Sequence, residues 1–187
     1  GAEAGLLSVV IREDLFYLSY TIKGKDDRSI YLLVDEYSES LGKIRNILTI
    51  PFPTDSHHGG TLVFDRAGKL YVSVGDGGVS PKDPHHEAQS LNSVRGKILR
   101  IDVTQVDPAP EIVAYGLRNP WKISIDSRNR MFIGDVGFSA KESVYLIENL
   151  YPDRPYNLGW PVFEGTTRIL KGRIEFSDTL PPIYEYK

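Results

Sequence analysis

The chain of 187 residues contains four histidines, which occur as two adjacent pairs at positions 57–58 and 85–86. An imidazole acts as a base near neutral pH or binds a metal ion, so these pairs are the first places to seek chemistry. A transition-metal site formed by 85–87 with His57 or His58 is one interpretation. The favoured interpretation is that these histidines are solvated, as adjacent histidines in a polar, proline-flanked loop usually are.

Other residue patterns exclude several kinds of site. The segment Gly75-Asp76-Gly77-Gly78 is not a phosphate-binding loop, because no Lys-Ser/Thr ending follows it and no helix is predicted there. A calcium-dependent hydrolase would need clustered acidic side chains, and the sequence shows no such cluster. The chain has no cysteine, which excludes thiolate ligands and disulfides and leaves the redox compartment undetermined.

Composition limits the partners. The net charge is −3 and no basic stripe is present, so nucleic acid is not an expected partner. No apolar run approaches the ~18 residues that a membrane span needs. We recognise no signal peptide in these residues; because the chain opens with Gly1 rather than methionine, the sequence is compatible with an export signal that was removed or not included.

The elements that must position these residues are predicted to be strands. Short β-branched or aromatic runs bounded by turn residues favour an all-β fold over a helical one. We predict one helical turn at 87–92, and strands at 6–11, 16–22, 30–36, 46–50, 61–64, 70–74, 97–101, 112–115, 122–125, 131–133 and 144–147.

A strand-turn-strand pattern repeats along the chain. The segments 62–72 and 123–133 each contain an apolar strand, a turn that begins with Asp, and a second strand. Gly68 matches Asn129, and both residue types tolerate the positive φ of a tight hairpin. A fainter copy lies at 11–17. The spacing of roughly 55–60 residues fits one four-stranded propeller blade with extended loops.

About three such blades are present, and three blades do not close a ring. An open half-ring would expose strand edges and blade faces. The chain is therefore interpreted as a fragment, as a half-ring that residues beyond its ends complete, or as one half of a homodimer with two copies closing six blades. The fragment is the favoured interpretation.

Several sequence blocks resemble one family in its own order. His57-His58-Gly59-Gly60-Thr61-Leu62 resembles the His-x-Gly-Gly-Arg-Leu signature of the glucose/sorbosone dehydrogenases, which are sugar oxidoreductases that depend on calcium and pyrroloquinoline quinone (PQQ). The other blocks that carry the resemblance lie at 3–7, 68–71, 75–78, 88–91, 96–101, 115–121, 134–137 and 157–161.

The resemblance implies a six-bladed β-propeller, of which residues 1–187 are one partial domain of about half the ring. It also implies oxidation of aldose sugars to lactones, an external electron acceptor, and a periplasmic or extracellular location. The favoured function is therefore that of an enzyme. The competing interpretation is a non-catalytic propeller that acts as a binding module, because fold alone does not fix function.

The resemblance also implies roles for particular residues. His57 would be the general base that removes the hydroxyl proton of the sugar; the alternative is a loop histidine with no special role. Arg118 would bind PQQ and stabilise charge on its oxygens, with Asn119 beside it as a hydrogen-bond partner. The alternative for Arg118 is a surface residue in a turn that Pro120 ends.

Calcium would be held in part by the backbone carbonyls of Gly137 and Phe138. Asp135 either orients this loop or caps a turn. Trp160 is expected to pack between blades rather than to bind sugar. The sequence departs from the family at Thr61, where Arg is usual, and this difference favours the binding module.

Overall fold

The protein is described by a computed structural model that covers residues 4–25, 29–78, 87–171 and 175–187. The predicted helical turn is a short 3₁₀ helix at Glu87–Gln89, and a second one lies at Phe176–Asp178. The strands are β1 (Leu6–Arg12), β2 (Leu15–Lys23), β3 (Ile30–Ser38), β4 (Gly42–Phe52), β5 (Gly59–Phe64), β6 (Leu70–Val74), β7 (Lys97–Ile101), β8 (Glu111–Tyr115), β9 (Pro120–Ile125), β10 (Met131–Asp135), β11 (Glu142–Ile147), β12 (Tyr156–Asn157), β13 (Phe163–Glu164), β14 (Thr167–Arg168) and β15 (Tyr184–Tyr186).

The strands form three antiparallel blades and one ribbon. The first blade has the order β1-β2-β3-β4, the second β5-β6-β7-β8, and the third β9-β10-β11-β15. Strand β12 adds to the outer edge of the second blade in parallel with β8, and β13 pairs with β14. Strand β5 contacts both β1 and β9, so the first strands of the three blades lie side by side. This is the predicted partial β-propeller.

The hairpin between the first two strands of a blade is the repeat seen in the sequence. In the second blade the Asp65 carboxylate accepts a hydrogen bond from the N–H of Lys69, and in the third blade Asp126 does the same for Arg130. Gly68 has a φ of 80° and Asn129 a φ of 61°, as the tight turn requires. The matched residues therefore form the same hydrogen bond and the same positive-φ turn in both blades.

The second blade is buried on both faces. All five residues of β6 are buried; Leu70 and Val72 belong to the core shared with the first blade, and Tyr71 belongs to the core shared with the third. Alternation of side chains across the strand explains this division. The first blade is covered on one face only, and Val9 and Ile11 are exposed on the other.

The antiparallel topology of the blades places the loops that carry the candidate site residues at one end. The loop before the first strand and the loop after the second strand lie at the same end of a blade, because the two strands run in opposite directions. Residues 57–58 and 75–78 meet in this way on the second blade, and 118–119 meets 136–141 on the third. Since β5 and β9 are neighbours, all four loops share one end of the propeller.

A buried lysine holds the segment 87–95, which precedes β7 in the second blade. The Lys97 side chain is inaccessible to solvent, and its ammonium donates to the carbonyls of Glu87 (2.9 Å), Ala88 (3.0 Å) and Arg95 (2.6 Å). Burial lowers the pKa of Lys97 to about 7, against the opposing charge of Glu87. The loop that contains the first 3₁₀ helix is thereby held onto the start of β7.

All eleven predicted strands are present, with boundaries that differ by a few residues. The four strands that were not predicted, β12 to β15, are two or three residues long. In the part of the chain that the structure describes, no helix is long and apolar enough to cross a membrane.

Replacing Lys97 by methionine tests the anchoring role. Lys97→Met keeps an unbranched side chain one atom shorter and removes the N–H donors, so we expect the free energy of unfolding to fall by about 3 kcal/mol. Lys69→Met is the control, because Lys69 and its partner Asp102 are both partly exposed, and it should cost less than about 1 kcal/mol. Denaturant titration measures both values, and equal losses would contradict the anchoring role.

Candidate active site

A histidine and an aspartate form the first pair of the site. His57 precedes β5 and Asp76 follows β6, and the Nδ1 atom of His57 lies 2.7 Å from Oδ1 of Asp76. The N–H of Gly77 donates to the carbonyl of His57, which helps to hold the histidine at a positive φ of 56°. Because a carboxylate only accepts, the neutral imidazole carries its proton on Nδ1 and its lone pair on Nε2.

Trp160 donates a hydrogen bond to the other oxygen of the same carboxylate. Its indole Nε1 donates to Oδ2 of Asp76 at 2.8 Å, and only 4% of the residue is exposed. The N–H of Gly78 donates to Oδ1 at 2.9 Å. Both carboxylate oxygens of Asp76 therefore accept hydrogen bonds. These bonds fix the carboxylate against which the His57 ring lies.

A second aspartate, on the third blade, holds the Arg118-Asn119 loop. The carboxylate of Asp135 accepts hydrogen bonds from the N–H groups of Arg118 (3.1 Å) and Asn119 (2.7 Å). Burial raises the pKa of Asp135 to about 7; these two N–H groups oppose the rise, and the charge of Asp76 adds to it. Asp135 thus orients the loop before β9. The two roles considered from the sequence were to orient the loop at Gly137 and Phe138 or to cap a turn.

The guanidinium of Arg118 connects this loop to the rest of the site. Its Nη1 donates to the carbonyls of Val136 (3.2 Å) and Gly137 (2.7 Å). The guanidinium carbon lies 5.7 Å from the ring centroid of Phe138 and 5.6 Å from that of Trp160, within cation–π range. An unbroken path of contacts therefore runs from His57 through Asp76 and Trp160 to Arg118.

The backbone of Trp160 is fixed from the second blade. The side-chain amide of Gln89 donates to the carbonyl of Trp160 at 2.7 Å and exchanges two hydrogen bonds with the amide of Asn157, at 2.9 and 3.1 Å. Gln89 lies in the loop that Lys97 holds. The loop inside the second blade therefore supports the indole that contacts Asp76.

The two glycines after the histidines serve the packing of the protein itself. A Cβ at Gly59 would lie 2.8 Å from the carbonyl oxygen of Ser73, and one at Gly60 would lie 2.5 Å from the side chain of Leu7. Neighbouring protein atoms therefore approach the backbone closely at both glycines. Thr61 ties the second blade to the third, because its hydroxyl donates to the carbonyl of Trp121 at 2.7 Å.

A buried carboxylate organises the loop after β10. Glu164 accepts hydrogen bonds from four consecutive backbone N–H groups, those of residues 138–141. Burial alone would raise the pKa of Glu164, but these N–H groups outweigh burial and lower it below its ordinary value. The residue is therefore a fixed negative charge beside the loop.

The structure brings together three of the predicted site residues, His57, Arg118 and Asn119, at one end of the propeller, and Gly137 lies against Arg118. Asp76 was seen only as part of a sequence block, and Trp160 only as a packing residue. The histidine pair at 85–86 lies outside the described residues. Among the described residues, no group of three or more His, Asp and Glu side chains is arranged to bind a metal.

Comparison with known proteins decides the family. The sequence matches the glucose/sorbosone dehydrogenase family over residues 1–182. The chain belongs to this family. Aldose sugar dehydrogenase YliI of Escherichia coli is 26% identical over 183 residues, which are 86% of this chain and 47% of that protein.

Other relatives of this chain have names that do not describe a dehydrogenase. HIPL1 protein of Arabidopsis thaliana is 36% identical over 152 residues, which are 66% of this chain and 21% of that protein. Human Hedgehog-interacting protein is 28% identical over 163 residues, which are 67% of this chain and 23% of that protein. The chain therefore spans between about a fifth and a half of these curated relatives.

Solved structures share the fold of this glucose/sorbosone dehydrogenase family member. The PQQ-bound form of aldose sugar dehydrogenase from Streptomyces coelicolor has a TM-score of 0.73 at 22% identity, with 100% of this chain and 55% of that chain covered. A putative glucose dehydrogenase from Thermus thermophilus has a TM-score of 0.74 at 24% identity, with 99% and 57% covered. The chain spans about half the length of these solved structures.

The buried carboxyl of Asp135 gives a pH-dependent stability. With a folded-state pKa of about 7 and an unfolded-state pKa of about 3.9, the folded protein binds more protons between these values. The free energy of unfolding therefore falls as pH rises from about 4 to 7, by up to about 1.4 kcal/mol per pH unit. Asp135→Asn removes this component, so the stability difference between wild type and variant should shrink between pH 5 and 7.

Urea titrations at a series of pH values measure this difference. Asp55→Asn is the control, because Asp55 is exposed and should leave the pH profile of stability unchanged. A stability difference between wild type and Asp135→Asn that stays constant across this range would contradict the buried, protonated carboxyl.

Proposed function

We propose that the site around Asp76 serves PQQ-dependent oxidation of aldose sugars to lactones. The observation that carries the proposal is the path of contacts that joins His57, Asp76, Trp160 and Arg118 across two blades. It combines an oriented base with a fixed cation at one end of a propeller. Membership of the glucose/sorbosone dehydrogenase family, and the PQQ bound to a structural neighbour, support the same chemistry.

His57 is the general base of the proposed reaction. Oxidation of a sugar hemiacetal breaks the C–H bond at the anomeric carbon, and the electron pair leaves with the hydrogen as hydride. The hydroxyl proton goes to Nε2 of His57, and the carbonyl of the lactone forms. Asp76 holds the Nδ1–H of the ring and stabilises the imidazolium that results.

Arg118 and Asn119 are the proposed PQQ ligands. PQQ, when bound, supplies the quinone that takes up the hydride. The guanidinium of Arg118 uses Nη1 to bond backbone carbonyls, and its other N–H groups are suited to a carboxylate of the cofactor. Asn119 is held beside it through Asp135. The positive charge of Arg118 and these N–H donors fit an anionic cofactor.

In the part of the chain that the structure describes, no group of three or more His, Asp and Glu side chains is arranged to bind calcium. Calcium takes about six to eight oxygen ligands. The Gly137 carbonyl is bonded to the guanidinium of Arg118, which is already a cation. The assignment of Gly137 and Phe138 as calcium ligands stays a prediction, and no step of the proposed reaction uses it.

The remaining features of the proposed function follow the family. The substrate is a small sugar, the electron acceptor is an external molecule, and the location is periplasmic or extracellular. Residues 1–187 act as one partial propeller domain. Closure of the ring by a second copy of the chain is the form that a homodimer would take.

A binding module is the second candidate function. One relative, human Hedgehog-interacting protein, is named for a protein partner. Thr61, at the position where arginine is usual, is 8% exposed and bonded to the third blade, so it presents no cation to a cofactor. A module would keep the loops of the site for their structural role and would not bind PQQ.

Two substitutions test the proposed reaction in the purified full-length protein with PQQ and calcium. His57→Ala removes the base, so we expect kcat for dye-coupled glucose oxidation to fall by about 10²–10⁴-fold with PQQ affinity nearly unchanged. Arg118→Ala removes the fixed cation and should weaken PQQ binding instead. Arg128→Ala is the control for charge, because Arg128 is exposed, and it should alter neither quantity.

The same measurements separate the two candidate functions. PQQ binding with turnover that depends on His57 supports the enzyme. Absence of PQQ binding by the folded full-length wild-type protein would overturn the proposed enzymatic function in favour of the binding module. Turnover that survives His57→Ala unchanged would overturn the assignment of the base.

A further inference from the structure

The loop after β10 is wrapped around a single carboxylate oxygen. Oε1 of Glu164 accepts hydrogen bonds from the N–H groups of Phe138 (2.7 Å), Ser139 (2.8 Å), Ala140 (3.0 Å) and Lys141 (3.2 Å). Successive N–H groups that converge in this way form a nest for an anion. Here the anion belongs to the protein itself, and only 3% of Glu164 is exposed.

One peptide group in this loop is held at both ends. The N–H of Phe138 points to Glu164, and in a trans peptide the carbonyl of the preceding residue points the opposite way. That carbonyl belongs to Gly137, and it accepts a hydrogen bond from Nη1 of Arg118 at 2.7 Å. The peptide between Gly137 and Phe138 therefore lies directly between a buried carboxylate and the guanidinium.

The loop has little freedom to adopt another arrangement. A Cβ at Gly137 would lie 1.7 Å from the carbonyl oxygen of Lys141 and 2.8 Å from Oε1 of Glu164. The N–H of Gly137 is also bonded, to the carboxylate of Glu142 at 3.1 Å. The direction of the Gly137 carbonyl is thus fixed by the closure of the loop on Glu164.

We propose that Glu164 is a positioning residue that sets the direction of the Arg118 guanidinium through the Gly137–Phe138 peptide. The inference rests on the proposed function for its effect on PQQ, because Arg118 is the residue that would touch the cofactor. The negative charge also polarises the peptide, which makes the Gly137 carbonyl a better acceptor for Arg118.

The first experiment needs no cofactor. Amide hydrogen exchange, followed by NMR, reports on residues 138–141, and the guanidinium N–H signals of Arg118 report on its anchoring. Glu164→Ala should speed exchange of the four amides by at least about tenfold and remove the anchored Arg118 signals. Glu164→Gln, which keeps the shape and loses the charge, should give an intermediate result.

Glu111→Ala is the matched control, because Glu111 is an exposed glutamate that pairs with another arginine, Arg100. It should leave all of these signals unchanged. If Glu164→Ala does not fold, Glu164→Gln decides the question alone. Arg118 signals that persist unchanged in a folded Glu164 variant would overturn the inference.

The second experiment measures PQQ affinity in a double-mutant cycle. Glu164→Ala should weaken PQQ binding about tenfold in the wild-type background and cause no further loss in the Arg118→Ala background. A merely structural effect would weaken binding equally in both backgrounds and would overturn the inference. Failure of the wild-type protein to bind PQQ overturns the proposed function, and the exchange experiment then still decides the role of Glu164.

Discussion

The buried carboxylate of Asp76 is the interaction on which the site depends. It receives the imidazole of His57 from its own blade and the indole of Trp160 from 84 residues further along the chain. The backbone N–H of Asp76 donates to the carbonyl of Arg118 on the third blade. A carboxylate that is 2% exposed is costly unless it is hydrogen-bonded, so the contacts with His57 and Trp160 also stabilise it.

The blade topology makes this convergence possible. Asp76 lies two residues after the second strand of its blade, and Asp135 is the last residue of the second strand of the next blade. At both places the chain meets the loop that precedes the first strand. One aspartate holds a side chain, His57, and the other holds the backbone N–H groups of Arg118 and Asn119. Two aspartates near the same end of neighbouring blades thus orient a base in one blade and a cation in the other.

Much of the fold could be predicted from the sequence, because alternation and turn residues are local signals. Strands 70–74 and 97–101 were predicted with the boundaries that the structure shows, and Gly68 and Asn129 take the expected positive φ. The short strands β12 to β15 have no periodicity of their own, so their pairing depends on tertiary contacts. Trp160 and Glu164 were missed for a similar reason, since their partners are distant in sequence.

The central claim is that Asp76 orients His57 as a base whose lone pair lies on Nε2. Nitrogen-15 NMR of the histidine rings tests it most directly, with His58, whose Nε2 lies 3.2 Å from the carbonyl of Thr54, as an internal reference. We predict that neutral His57 carries its proton on Nδ1 in the wild type and loses this preference in Asp76→Ala. A proton on Nε2 in the wild type, or the same tautomer in both proteins, would contradict it.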